Sequence, residues 1–332
     1  MSDSDGARYR SGLIFGLVAY SWWGLVPLYF AALKSAEVPA AEILGHRIAW
    51  SLPIMLVLVW IIGGWKDLWR VLKSRKLVLT LLLSSTLLAV NWLLYIYATV
   101  TSRVAEASLG YYMMPLVNAA LATWFLGEKL RPAHYPALAL VALGVCVPFF
   151  VYGKFTWIAV ALPITFGIYG LVRKRVPVES TTGLTVETIL MLIPSVGYLL
   201  FLGSMGKNHF GANWSLNALL AFSGVVTVVP LLTYTLSLRR LPLIALSFLQ
   251  FLSPTIQMVL AITLLGETLT PDKIIAFACV WAAVAIFIAD AVAQVREKRS
   301  RDVMGGTGGL SARGSATRAD TPPVPPLPAV TR

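Results

Sequence analysis

Residues 108–134 read SLGYYMMPLVNAALATWFLGEKLRPAH, and residues 247–273 read SFLQFLSPTIQMVLAITLLGETLTPDK. Laid over each other without a gap, they agree at Ser108/Ser247, Pro115/Pro254, Leu121/Leu260, Ala122/Ala261, Leu126/Leu265, Gly127/Gly266, Glu128/Glu267, Leu130/Leu269 and Pro132/Pro271, each pair 139 residues apart. A long apolar segment with a central proline, closed by a Gly-Glu turn, is therefore written twice. What the repeat builds depends on the solvent that such segments face.

The composition identifies that solvent. The 332-residue chain is 58% hydrophobic and only 13% charged, with a mean hydropathy of +0.76, whereas soluble domains carry about 25% charged residues. A bilayer core about 30 Å thick takes roughly 17–25 apolar residues per helix. Ten such runs lie near 11–33, 42–63, 77–99, 104–126, 134–152, 155–172, 183–203, 214–237, 242–265 and 271–293. Strand-length alternation is absent, which excludes a membrane β-barrel. The expected fold is an all-α polytopic membrane protein of ten transmembrane helices. The first run lacks a small-residue cleavage site and is long enough to span, so it is expected to stay as a helix rather than leave as a signal peptide. Cys146 and Cys279 both fall inside apolar runs, so they offer neither a disulfide framework nor a metal site.

The net charge of +12 is explained by topology. With the N-terminus inside, 21 of the 27 Lys and Arg fall on cytoplasmic segments, five fall on the opposite face, and Arg47 sits within the second run. Positive charge on cytoplasmic loops sets orientation in membranes; both termini are expected in the cytoplasm, and no nucleic-acid partner is implied. Residues 294–332 are rich in Gly, Ser, Thr and Pro, and such a segment is expected to be a disordered cytoplasmic tail.

Five helices is an odd number, so a duplicated five-helix unit enters the membrane from the opposite side the second time. The domains expected are a cytoplasmic segment 1–10, a first five-helix repeat 11–152, a second repeat 153–293 and the tail 294–332. GEKLRP would then lie inside and GETLTP outside; Lys129 and Arg131 of the first copy become Thr268 and Thr270 in the second. The Gly-Glu motif reads as architecture: Gly127 and Gly266 suit a left-handed residue past a helix end, and Thr270 before Pro271 suits an N-cap. Inverted repeats of this kind build secondary transporters, with substrate held near the midplane.

Polar residues inside the runs are the site candidates. Ser108, Tyr111, Pro115 and Asn118 share one helix face, and Ser247, Gln250, Pro254 and Gln257 repeat the spacing. Both faces either line a watery cavity or supply interhelical hydrogen bonds of around 1 kcal/mol each. Proline in each also frees the backbone carbonyl four residues earlier. Asn91 and Tyr95 add a third face, and Tyr234 stands 139 residues after Tyr95. The second run places Glu42, His46 and Trp50 on one face, with Arg47 about 100° round. Glu187 stands seven residues before Pro194, as His46 stands seven before Pro53. An ionisable residue in a membrane interior is a functional candidate by default. Arg47 and Glu187 lie near opposite membrane faces, so Glu42 and Glu106 are the expected partners of Arg47; an internally satisfied packing pair of His46 and Arg47 is the alternative.

The segments AEILGHRIAWS, NWLLYIYA, EASLGYYMMPL, YGLVRK and LRRLPLIALSFLQFLSPTIQ, in this order, resemble the RarD subfamily of EamA-domain transporters, within the drug/metabolite transporter superfamily. The resemblance covers about 11–293. It implies ten helices in two EamA-type repeats, a bacterial cytoplasmic-membrane location and transport of an organic solute. By similarity the helix-2 motif falls on Glu42, His46, Arg47 and Trp50, and the helix-4 motif on Glu106, Ser108, Gly110, Tyr111 and Pro115. The proline-rich tail has no counterpart.

The function expected is a secondary transporter or exchanger of a small metabolite or drug, working by alternating access. Its partners are the solute and the lipid bilayer; no cofactor, metal or ATP site is expected, since no GxxxxGKS-type phosphate loop occurs. A coupling proton and a homodimer are left open, as are substrate and direction. The rival readings are an integral membrane enzyme, which needs paired catalytic groups at one depth, and a channel, which needs rings of like charge.

Overall fold

In hydrocarbon a backbone must satisfy its own hydrogen bonds, which a helix does within one segment. The apolar runs accordingly fold as helices. The computed structural model describes residues 3–34, 36–100, 104–152, 157–264, 271, 274–275, 278–290 and 292–293. Its elements are α1 (Asp3–Lys34), α2 (Ala40–Ile61), α3 (Trp65–Lys73), α4 (Arg75–Val100), α5 (Val104–Leu126), α6 (His134–Tyr152), α7 (Trp157–Arg175), α8 (Ser180–Ser204), α9 (Trp214–Leu238), α10 (Leu243–Leu249) and α11 (Leu252–Thr263). Residues Ala278–Asp290 are also helical, and no strand occurs among the described residues. The chain divides into two units, Met1–Val284 and Ala285–Arg332. The tail 294–332 and most of the second Gly-Glu turn, Glu267 included, lie outside the described residues.

Seven stretches are long and apolar enough to cross a bilayer: Gly6–Phe30, Ala40–Ile61, Arg75–Tyr95, Trp157–Arg175, Ser180–Ser204, Trp214–Leu238 and Leu243–Leu260. The other three apolar runs carry the shorter apolar helices Met113–Leu126, His134–Val147 and Ala278–Asp290. Large apolar side chains stand exposed along them, including Trp124, Phe150, Ile193 and Trp214 at 76–85% of full exposure. Apolar surface on this scale needs lipid around it.

Two elements depart from the sequence expectation. The segment between the apolar runs 42–63 and 77–99, too short to span, forms the nine-residue helix α3; Leu68 and Val71 are buried, while Trp69 and Arg70 stay exposed. Such an amphipathic helix suits a membrane surface. The ninth run is broken into α10 and α11 at Gln250–Phe251. Gln250 is the residue whose carbonyl Pro254 leaves without its helical donor, and that carbonyl instead accepts the Ser253 N–H at 3.1 Å.

Contacts assign the helix termini to two ends. At the basic end, Arg8 donates to the Arg239 carbonyl (3.1 Å) and Ser237 to the Gly12 carbonyl (2.7 Å); a core of Val59, Leu68, Val71, Leu81, Val176, Val178 and Val186 joins α2, α3, α4 and α8 there. At the other end, Tyr29, Leu33, Ile43, Leu216 and Leu220 pack together, and Ala98 meets Ile158 and Leu162. So α1 leaves the basic end, whereas α7 arrives at it. The principal helix pairings are α1 with α9 and α4 with α7, α5 with α7 and α1 with α11, α2 with α9 and α4 with α8, α2 with α8, and the chain neighbours α5 and α6.

Candidate functional site

The buried Glu and Arg side chains described, Glu42, Arg47, Arg173 and Glu187, fall into three clusters. The first is centred on Arg47 of α2, only 7% exposed. Its Nε donates to Thr227 Oγ1 of α9 at 2.9 Å, and its guanidinium lies over the Trp92 ring of α4, 4.7 Å from the centroid. Tyr29 of α1, Tyr95 of α4 and Tyr111 of α5 are close enough to act on it electrostatically. Tyr95 and Tyr111 meet edge to face at 5.8 Å. A cavity of about 10 Å³, room for roughly one water, opens beside Trp92 and Thr227 and is also lined by Ser51 and Thr188.

The second cluster closes the end opposite the basic one. Glu42 is fully buried and accepts the backbone N–H of His209 at 2.7 Å, with His209 Nδ1 also at 2.7 Å. His46 Nε2 stands 3.9 Å from the same carboxylate, and the His46 ring stacks on Phe210 at 5.1 Å. Trp50 approaches Phe210 at 6.1 Å. The loop between α8 and α9 is thus fastened onto the Glu42, His46 and Trp50 face of α2. This corrects the expected pairing of Glu42 with Arg47: five residues along a helix turn a side chain by about 140°, so the two groups point to different neighbours. The side chains of Glu106 and Ser108 lie outside the described residues.

The third cluster joins α4, α7 and α8. Glu187 of α8 is fully buried, bonded through Oε1 to the Ser84 hydroxyl of α4 and 3.6 Å from Arg173 Nε of α7. Arg173, just past the apolar run 155–172, is 2% exposed and donates from Nη2 to the Ser180 carbonyl at 3.2 Å. Gly183 makes room for it, since a Cβ there would collide with the guanidinium. Arg47 and Glu187 each have their own surroundings.

The Gly-Glu turn acts as architecture. Gly127 adopts φ +66°, in the left-handed region that favours glycine. Glu128 then reaches across to the N-terminus of α10, accepting the Leu243 N–H at 2.8 Å and the Ile244 N–H at 3.2 Å. Lys174 of α7 pairs with it at 3.2 Å and donates to the Leu241 carbonyl at 2.6 Å. Glu128→Ala should lower stability by about 0.5–2 kcal/mol, the range for losing a helix cap. Glu128→Gln should cost less, because its amide oxygen still accepts. Denaturant titration in detergent checks the order; equal losses would make the partly exposed Lys174 pair, not the cap, the main contribution.

The remaining candidates divide between helix seams. Asn91 Nδ2 donates to the Leu162 carbonyl (2.9 Å) and Thr165 Oγ1 (3.0 Å) of α7, and Gln257 Nε2 to the Trp23 carbonyl of α1 (3.2 Å). Both bonds join helices as interhelical ties do. Tyr234 is buried among Tyr20, Trp23, Phe166 and Tyr169. Asn118 and Pro115 are buried on α5, and Gln250 at the α10–α11 break; Pro254 is half-buried and Ser247 bonds back to the Leu243 carbonyl at 2.7 Å. Sequence reading missed His209, Trp92, Thr227, Ser84 and Arg173.

Apolar helices around buried polar and charged side chains define a polytopic helical membrane protein. Within that class the chain belongs to the EamA-like transporter family, whose profile matches residues 10–150 and again residues 154–289. It is similar to Protein RarD of Salmonella typhi, 41% identical over 295 residues that cover 89% of this chain and 100% of that one. Protein RarD of Escherichia coli is 40% identical, over 87% of this chain and 97% of its own. An uncharacterized transporter of Bacillus subtilis, YojE, is 38% identical over 89% and 98%. A crystal structure aligns with TM-score 0.63 at 18% identity, over 83% of this chain and 96% of that one, which establishes likeness of fold.

Proposed function

We propose that the chain is a secondary transporter that carries a small organic solute across a bacterial cytoplasmic membrane by alternating access, with the solute path passing the Arg47 cluster. The observation that carries this reading is the exchange of helix pairings between the two matched segments. Substituting α7, α8, α9 and α10–α11 for α1, α2, α4 and α5 turns the α1–α9 contact into α7–α4, the α5–α7 contact into α11–α1 and the α2–α9 contact into α8–α4. The opposite directions of α1 and α7 support an inverted arrangement, the construction of transporters that rock one repeat against the other. Both ends are closed by links between the repeats, Glu42 to His209 at one and Glu128 with Lys174 and α10 at the other.

The basic end gathers Arg8, Arg70, Arg173, Lys174, Arg239 and Arg240, and is the cytoplasmic end by the charge rule. Single cysteines at positions 128 and 267 test the topology. Glu128→Cys should resist an impermeant thiol reagent added outside cells and Glu267→Cys should react. Reaction of both from one side would sink the inverted repeat.

A further inference from the structure

Among the described side chains Arg47 has no anion beside it; Glu106, expected from sequence as a partner, has its side chain outside them. Of its five N–H groups, the one on Nε is taken by Thr227 at 2.9 Å. Neither Nη group has a hydrogen-bond acceptor among the described residues, and no described carboxylate lies within ion-pair distance of it. Glu42, the nearest acid on its own helix, is engaged by His209, and Glu187 by Ser84 and Arg173. Yet Arg47 is only 7% exposed. A charge between membrane helices is expensive to maintain without a counter-charge; none stands among the described side chains, and a ligand supplies one.

The geometry around Arg47 fixes the class of that ligand. Thr227 holds the Nε edge, and Trp92 covers one face at 4.7 Å, so the guanidinium cannot turn freely. Its Nη edge, without an acceptor among the described residues, is a planar pair of donors, matched to the two oxygens of one carboxylate. The walls nearby are aromatic: Trp92 beneath, with Tyr95 and Tyr111 edge to face at 5.8 Å. Rings of this kind favour a flat apolar body. One guanidinium balances one negative charge, so a monoanion is matched and a dianion is not.

We infer that the transported solute is an organic monocarboxylate with a planar apolar body, and that Arg47 is its receptor, held in place by Thr227 and Trp92. This rests on the transporter reading above. Residues Thr227 and Trp92 are positioning residues: they act through the guanidinium.

The test uses benzoate and its neutral isostere benzamide as probes on the purified full chain in detergent, at constant ionic strength. Benzoate should raise the unfolding temperature in a saturable way, and benzamide should not. Arg47→Lys should weaken the benzoate midpoint at least tenfold, because an ammonium cannot form the forked pair. Should Arg47→Lys fail to fold, Thr227→Val, which keeps the volume and removes the Nε acceptor, should weaken it several-fold. Arg70→Gln, on the exposed face of α3, should leave it unchanged. Equal stabilisation by benzamide, an unchanged midpoint in both Arg47→Lys and Thr227→Val, or no saturable response to benzoate would each overturn the inference. Solute exchange in proteoliposomes is measured separately: exchange of neutral or cationic solutes without benzoate binding would remove the anion class and keep the transporter. Benzoate binding at Arg47 with no exchange of any solute would do the reverse.

Discussion

Replacing Arg173 with leucine is expected to lower stability by about 3–5 kcal/mol, the range for leaving one member of a buried ion pair alone. Glu187 is fully buried, and without Arg173 its carboxylate would keep only the Ser84 hydroxyl. Replacing both Arg173 and Glu187 with leucine should return stability to within about 1 kcal/mol of the parent, because buried pairs exchange for apolar residues at little net cost. The pair is loosely joined: Arg173 Nε stands 3.6 Å from Glu187, and Arg173 Nη1 and Glu187 Oε2 are buried without a hydrogen-bond partner among the described residues. Denaturation of the two single variants and the double variant in mixed micelles measures the coupling. A single loss below 1 kcal/mol, or a double variant no better than the single, would contradict a paired role. A stable double variant that no longer transports would give the pair a part in the cycle as well.

The sequence carries the helices because an apolar run has a length that the bilayer dictates, and that length is visible without coordinates. It carries the face of Glu42, His46 and Trp50 for a similar reason, since helical spacing fixes which neighbours share a side. It does not carry partners that meet through space. His209 lies in a polar loop 167 residues from Glu42, and nothing in its surroundings marks it. Arg173 sits in the basic run RKR, where a guanidinium can reach outward to water or fold back over a glycine. Only the position of Gly183 opposite it settles the direction, and that depends on packing. The helix α3 escaped because its nine residues are far shorter than a span, and its charges dominate the composition of that stretch. The break at Gln250 was not legible either: Pro254 marks a freed carbonyl, but the unbroken course of α5 through Pro115 shows that proline alone does not decide a break.

Tethering residue 42 to residue 209 should stop transport. The Glu42–His209 contact joins α2 to the α8–α9 loop, and Phe210 closes over His46 and Trp50 beside it. If solute reaches Arg47 from that end, the loop must lift away from α2 in every cycle, and a covalent tether would hold it down. In a background with Cys146 and Cys279 replaced by alanine, Glu42→Cys and His209→Cys would be joined by a short reducible bifunctional thiol reagent after reconstitution. Counterflow of a solute chosen from a metabolite panel should fall at least tenfold on linking and recover on reduction, because a frozen gate blocks exchange outright rather than slowing it. The same protein serves before and after linking, so any loss caused by the substitutions themselves cancels. If the double cysteine variant is inactive before treatment, Trp50→Cys with Phe210→Cys, whose native rings stand 6.1 Å apart, poses the same question. Full exchange in the linked protein would mean that the loop is a static cover and that the solute enters elsewhere. Loss on linking, together with faster exchange in Glu42→Gln, would instead identify the carboxylate as the latch, since the amide keeps the backbone bond to His209 and gives up the charge.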